Sequence, residues 1–152
     1  MANPFTDGRQ ALLARLQADP TLDAAVTEWH EWGSGLIQRY DFLPASCPLI
    51  SVAPAALDED DLSNITDRFP QSLEIVILTD GQDAEPGEEL LAAALAVVQQ
   101  ARADRMGLAA EGLAGINPQS TQWDIYATER DPRPRWLIRL RVELIWYLRE
   151  LL

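Results

Sequence analysis

The chain has 152 residues, enough for one domain with a full core, and carries 24 acidic residues against 12 basic ones. Its formal net charge of −12 disfavours adhesion to DNA or to anionic lipid, both of which most of this surface would repel. Every basic residue is an arginine, so a P-loop lysine and a Schiff-base lysine are excluded.

The single cysteine, Cys47, leaves no internal disulfide and suits a reducing compartment. The longest apolar run, Leu90 to Val98, has nine residues, well short of the ~20 that a membrane helix needs. The first residues, MANPFTDGRQ, lack a basic start followed by an apolar stretch, so no signal peptide is expected.

In chain order, Asp7-Gly8-Arg9-Gln10 reads as a helix start, with Asp7 as cap and Leu12, Leu13 and Leu16 as the apolar stripe. Asp19-Pro20 ends that helix. A strand is expected over Ala25–Glu31, closed by the Gly33-Ser34-Gly35 breaker, and 36–43 reads as extended. Leu49-Ile50-Ser51-Val52-Ala53 is a short apolar strand. Residues 54–70 form an acidic connection with Asp58-Glu59-Asp60-Asp61, either a short helix using Leu62, Ile65 and Phe69 or a loop. Leu73 to Thr79 has the pattern of a strand buried on both faces.

Glu85-Pro86-Gly87-Glu88-Glu89 opens the clearest helix, with proline and acids at its start, Arg102 and Arg105 near its end, and Gly107 as its stop. Residues 107–118 read as a glycine-rich loop. A hairpin follows. Gln122–Thr128 alternates, and Arg135–Tyr147 alternates over a longer run. Trp136, Ile138, Leu140, Val142, Leu144 and Trp146 share one face; Arg135, Arg139, Arg141 and Glu143 share the other with Leu137, Ile145 and Tyr147. The turn between them is polar and holds Pro132 and Pro134.

This order predicts one α+β domain over residues 1–152: a mostly antiparallel sheet of four or five strands, two main helices packed on it, and a C-terminal β-hairpin. The apolar face of the last strand should meet the Leu90–Val98 helix.

No constellation points to catalysis. His30 is the only histidine; with Glu28, Glu31 and Cys47 it makes too poor a set for zinc, and the plainer reading is a surface or interface residue between Trp29 and Trp32. Cys47 has no nucleophile signature around it and reads as a buried small residue. Counted from Asp58, an EF-hand would need glycine at Ser63 and an acid at Phe69. Gly107, Gly112 and Gly115 do not spell a dinucleotide fingerprint, and Ser34 lies outside a nucleophile elbow. No enzyme, cofactor or metal is expected. The turn arginines Arg130, Arg133 and Arg135 are the one basic cluster, and the five tryptophans should leave aromatic surface for a protein contact.

The order and texture of these segments resemble the small tail-terminator (tail-completion, minor tail) proteins of long-tailed phages and prophages. The matching pieces are the helix at 8–18, CPLISVAP at 47–54, LEIVILTD at 73–80, the helix at 86–105 and WLIRLRVELIWYL at 136–148. The 29–42 segment and the acidic 54–70 connection depart from that pattern. The resemblance implies an α+β protein without enzymatic activity. It would assemble as a ring, often a hexamer, capping the tail tube and joining it to the head. It would be built in the host cytoplasm and carried in the virion tail, beside other tail or neck proteins. Within that reading, the second face of the last strand is the expected subunit contact, through Arg133, Arg135, Leu137, Arg139, Ile145 and Tyr147. A ring that passes DNA needs a lumen without cations. Asp58, Glu59, Asp60, Asp61, Asp80, Asp83 and Glu85 are the expected pore-lining residues, with the arginine-bearing turn aimed at a protein neighbour. The rival reading is an acidic regulatory or inhibitor module, resembling a DNA mimic, that binds a basic protein.

Overall fold

The computed structural model describes residues 3–31, 47–55, 67–127 and 132–147. The expectations for 33–43, for Asp58, Glu59, Asp60 and Asp61, for Leu62 and Ile65, and for Arg130 lie outside the described residues.

The chain starts with helix α1, Pro4–Ala18, four residues earlier than the Gly8 start expected from sequence. The cap is Asn3, not Asp7. Its side chain accepts from the backbone N–H of Phe5 and of Thr6, and Pro4 occupies the first turn, where its missing N–H costs nothing. Asp19 then serves two helices. Its backbone N–H closes the last turn of α1 on the Leu16 carbonyl, while its side chain caps α2, Pro20–Ala25, through the Leu22 N–H at 3.0 Å. The strand expected over Ala25–Glu31 is therefore shorter: β1 is Glu28–Glu31, because Asp19-Pro20 starts a helix as well as ending one.

Strand β2 is Leu49–Pro54. Strand β3, Arg68–Asp80, extends five residues before the apolar run seen in the sequence, and Phe69 belongs to it rather than to a helix with Leu62 and Ile65. Helix α3, Glu85–Asp104, has no cap from Ala84; instead the Asp83 carboxylate accepts from the Glu85 N–H at 3.0 Å. The helix ends before Gly107, because Arg105 and Met106 already turn left-handed, at φ 52° and 53°. Asp104 supports that reversal by accepting from the Met106 N–H, and burial of the Met106 side chain helps to offset the backbone cost. Strand β4, Leu113–Tyr126, takes in the second half of the expected 107–118 loop. Bulges between Leu113 and Gly115 and between Pro118 and Thr121 break its alternation, which hid the strand in the sequence. Strand β5, Arg135–Tyr147, has the expected bounds.

The five strands lie in the order β1-β2-β3-β5-β4, parallel between β1 and β2 and antiparallel elsewhere. Strand β5 is flanked over its whole length by β3 on one side and by β4 on the other. The helices cover one face. Ile50, Val52, Leu73, Ile75, Ile77, Ile138, Leu140, Val142, Leu144 and Trp146 from the sheet join Leu12, Leu16, Leu90, Val97 and Val98 from the helices in one core. Two glycines set how closely the helices sit. A Cβ on Gly8 of α1 would stand 2.8 Å from Leu144 Cδ1, and one on Gly87 of α3 would stand 2.7 Å from Ile138 Cδ1. The N-terminal turn of α1 is pinned further by Gln71, which donates to the Phe5 carbonyl and accepts from the indole N–H of Trp146. The helix-facing side of β5 thus meets α3, as the sequence predicts, and α1 as well.

Candidate functional site

Alternation along β5 sends every second side chain to the face away from the helices. The paired strands supply the rest of that face: Leu49, Ser51 and Ala53 from β2, Val76, Leu78 and Glu74 from β3, and Asp124 and Gln122 from β4. Among the described residues, no helix packs on it. Its two ends, about 40 Å apart along β5 at ~3.3 Å per residue, differ in character.

At the Arg135 end the face is closed. Leu137 is only 4% exposed and forms a second, small apolar cluster with Leu49, Val76 and Leu78, against which Cys47 packs. Arg135 is 2% exposed, and its Nε donates to Asp80 Oδ1 at 3.1 Å. Two more bonds lock the same corner: the Gly81 N–H to the Pro134 carbonyl at 3.1 Å, and the Trp136 indole N–H to the Gln82 carbonyl at 3.0 Å. Burial pushes the Cys47 thiol up to about 11, helped by the Asp80 charge and opposed by Arg135 and Arg133. The thiol is thus protonated at neutral pH, the wrong state for a nucleophile.

In the middle the face is charged and paired. Arg139 donates to Asp124 at 3.1 Å, Gln119 to Glu143 at 3.0 Å, and Glu74 stands across the strand from Arg141. At the Tyr147 end it opens. Ile145 and Tyr147 are partly exposed, Pro70 lies opposite Ile145, and the Arg68 guanidinium sits 5.7 Å from the Tyr147 ring centre.

The six expected contact residues therefore fall into four groups. Arg135 and Leu137 are spent inside the fold, Arg139 is tied to Asp124, and Ile145 and Tyr147 offer open surface. Arg133 is exposed in the turn. Of the expected pore residues that are described, Asp80, Asp83 and Glu85 are exposed and share the β3–α3 corner. They are not kept apart from the arginine-bearing turn: Asp80 is bonded to Arg135, and Asp83 is turned to its capping role. His30 and Glu28 lie on the same sheet face, 3.4 Å apart. Among the described residues no three of His, Cys, Asp and Glu converge as metal ligands, and no helix is long and apolar enough to cross a membrane.

Sequence reading missed a feature on the opposite face. Trp123 and Trp136 meet edge to face at 5.6 Å beside Gly87, and Ile125, next along β4, is 56% exposed. The pairing of Ile125 with Trp136 and of Trp123 with Ile138 places these side chains on the helix-covered face.

No family model matches the chain, and no curated protein matches it. Among solved structures, a chain of the virion of a native gene transfer agent particle is 21% identical, with 90% of this chain and 93% of that chain covered and a TM-score of 0.42. A protein from Akkermansia muciniphila is 9% identical, with 94% of this chain and 77% of that chain covered and a TM-score of 0.37. At TM-scores below 0.5 these likenesses bear no functional weight, and the reading that follows rests on the chain's own residues.

Proposed function

We propose that this protein is a structural component of a phage or prophage particle, assembling as a cyclic homo-oligomer at the tail-tube end or the head–tail junction. One observation carries the reading: the sheet face that the helices leave uncovered ends in an open strip, Ile145 and Tyr147 with Pro70 and Arg68, on the strand that anchors the whole sheet. Tyrosine, arginine and aliphatic side chains on a rigid strand suit a protein–protein contact. A head-to-tail contact of this kind closes into a ring when the rotation between subunits allows it. The element order that motivated the resemblance is present, with five strands and the helices on one side.

The test is the mass of the full chain in solution, by light scattering and native mass spectrometry, with Tyr147→Asp as the variant. A closed oligomer that falls to monomer in Tyr147→Asp supports the proposal. A wild-type monomer at high micromolar concentration overturns it and favours the acidic-module reading.

A further inference from the structure

Strand β4 is one edge of the sheet, and its two halves are built differently. The first half carries both bulges and Pro118, devices that stop another strand from pairing there. From Thr121 to Tyr126 these devices are absent. That half pairs with β5 residue by residue, from Thr121 opposite Leu140 to Tyr126 opposite Arg135, and holds no proline, no arginine and no register shift. Its one charged side chain, Asp124, is turned to the far face and bonded to Arg139. Among the described residues nothing pairs with its outer side.

The same unprotected half carries Ile125, the large apolar side chain that stands out to solvent among the described residues. Beside it lie Trp123 and Trp136, stacked edge to face and half-buried. Trp123 reaches the start of α3, with ring carbons 3.4 Å from a Cβ built on Gly87, and Trp136 is bonded to the Gln82 carbonyl. The exposed acids Asp83, Glu85 and Glu88 are on that same stretch, so the apolar strip is rimmed by negative charge. Open backbone, an apolar strip and an acidic rim are three separate requirements for taking up a strand, and here they coincide.

We propose that the Thr121–Tyr126 edge binds an extended segment of a different protein by strand addition, the segment bearing aliphatic side chains toward Ile125 and Trp123 and arginine or lysine toward Asp83, Glu85 and Glu88. Main-chain hydrogen bonds hold the added strand, and the alternate side chains select it. A second copy of this chain is the poorer occupant: its other edge strand, Glu28-Trp29-His30-Glu31, would bring two more carboxylates to an acidic rim. The inference does not depend on ring formation.

The experiment uses the full-length protein and a synthetic peptide of about ten residues, a usual strand length, with threonine at every second position and valine and arginine taking turns at the positions between, so that both meet the helix-side face. Binding is read by calorimetry, and its place by amide exchange. The expected result is slowed exchange confined to 121–126. Affinity should fall at least ~10-fold in Ile125→Thr, which preserves strand propensity. It should fall also in the double variant Glu85→Gln/Glu88→Gln, and for a peptide with glutamate in place of arginine. Four results overturn the proposal: equal binding of the glutamate peptide, protection elsewhere, no binding at all, and slowed exchange at 121–126 in the protein alone that grows with its concentration, which would mean pairing between copies. A protein that forms rings yet ignores the peptide sinks this inference and leaves the ring intact.

Discussion

The two faces of the sheet are made by the same strands, and by alternate residues of β5, yet they do opposite things. The helix-covered face is almost purely apolar and closed by glycine-mediated contact at Gly8 and Gly87. The other face has a small closed cluster around Leu137, a charged middle, and an open end at Tyr147. Burying apolar area supplies most of the folding free energy. The covered face therefore holds the fold, while the uncovered one is free to carry recognition. A residue's parity along β5 decides which face it joins, and its position along the strand decides whether the fold buries it, as at Arg135 and Leu137, or leaves it partly exposed, as at Tyr147.

The sharpest way to break this division is at adjacent positions of β5. Trp146→Ala should cost about 3–5 kcal/mol in denaturant unfolding, since it empties a fully buried site and orphans its bond to Gln71. Tyr147→Ala, one residue on, should cost below ~1 kcal/mol at a partly exposed site but impair assembly. Equal losses at both positions would erase the distinction. Next in size, Gly87→Ala should destabilise by about 1–3 kcal/mol, because its methyl group must displace Ile138 or lift α3. Gly115, with nothing near a Cβ, is the control on the other face: Gly115→Ala should change stability by no more than ~0.5 kcal/mol.

Within the uncovered face, Asp80→Asn should cost about 1–2 kcal/mol and Asp124→Asn below ~1 kcal/mol. The first leaves the buried Arg135 charge without its carboxylate, whereas Arg139 can turn to water. Smallest is a pH effect on the closed end. The folded Cys47 thiol titrates near 11 against an ordinary value of 9.0, so the native state holds the proton more tightly. Its contribution to stability is complete below pH 9 and fades as pH rises toward 11. Thiol alkylation of the folded protein at pH 8 should be slower than in urea, and the gap should narrow as the pH passes 11. A native thiol as reactive as the unfolded one would reopen the nucleophile reading.

Much of this was legible because period-two alternation in Arg135–Tyr147 and the apolar run at Leu73–Thr79 both express strand geometry directly. The long helix likewise announced itself through Glu85, Pro86 and its apolar stripe. What escaped was encoded in residues with two uses. Asp19-Pro20 stops one helix and starts another; Asn3 caps a helix whose first turn precedes the Asp7 cap expected from sequence. Bulges disguised the first half of β4 as a loop. At the candidate site, parity told which side chains share a face, but not which of them the fold would use up. Arg135 and Leu137 look as available as Tyr147 in the sequence, and only the contacts with Asp80, Leu49 and Leu78 remove them from the surface.

The central place of β5 also sets a timetable. Its pairing with β3 joins residues 55 positions apart at Asp80 and Arg135, and more at the other end, where Arg68 meets Tyr147. A chain synthesised from its N-terminus makes α1, α3 and β3 before the strand that completes the centre of the sheet. Until β5 arrives, Gly8 and Gly87 lack Leu144 and Ile138, the side chains they approach most closely, and the core lacks Ile138, Leu140, Val142, Leu144 and Trp146. Local turns and the β4–β5 hairpin can form early, but closure of the core must wait for contacts between distant parts of the chain. Folding should thus be slow for a protein of this size and arrive in one late, cooperative step.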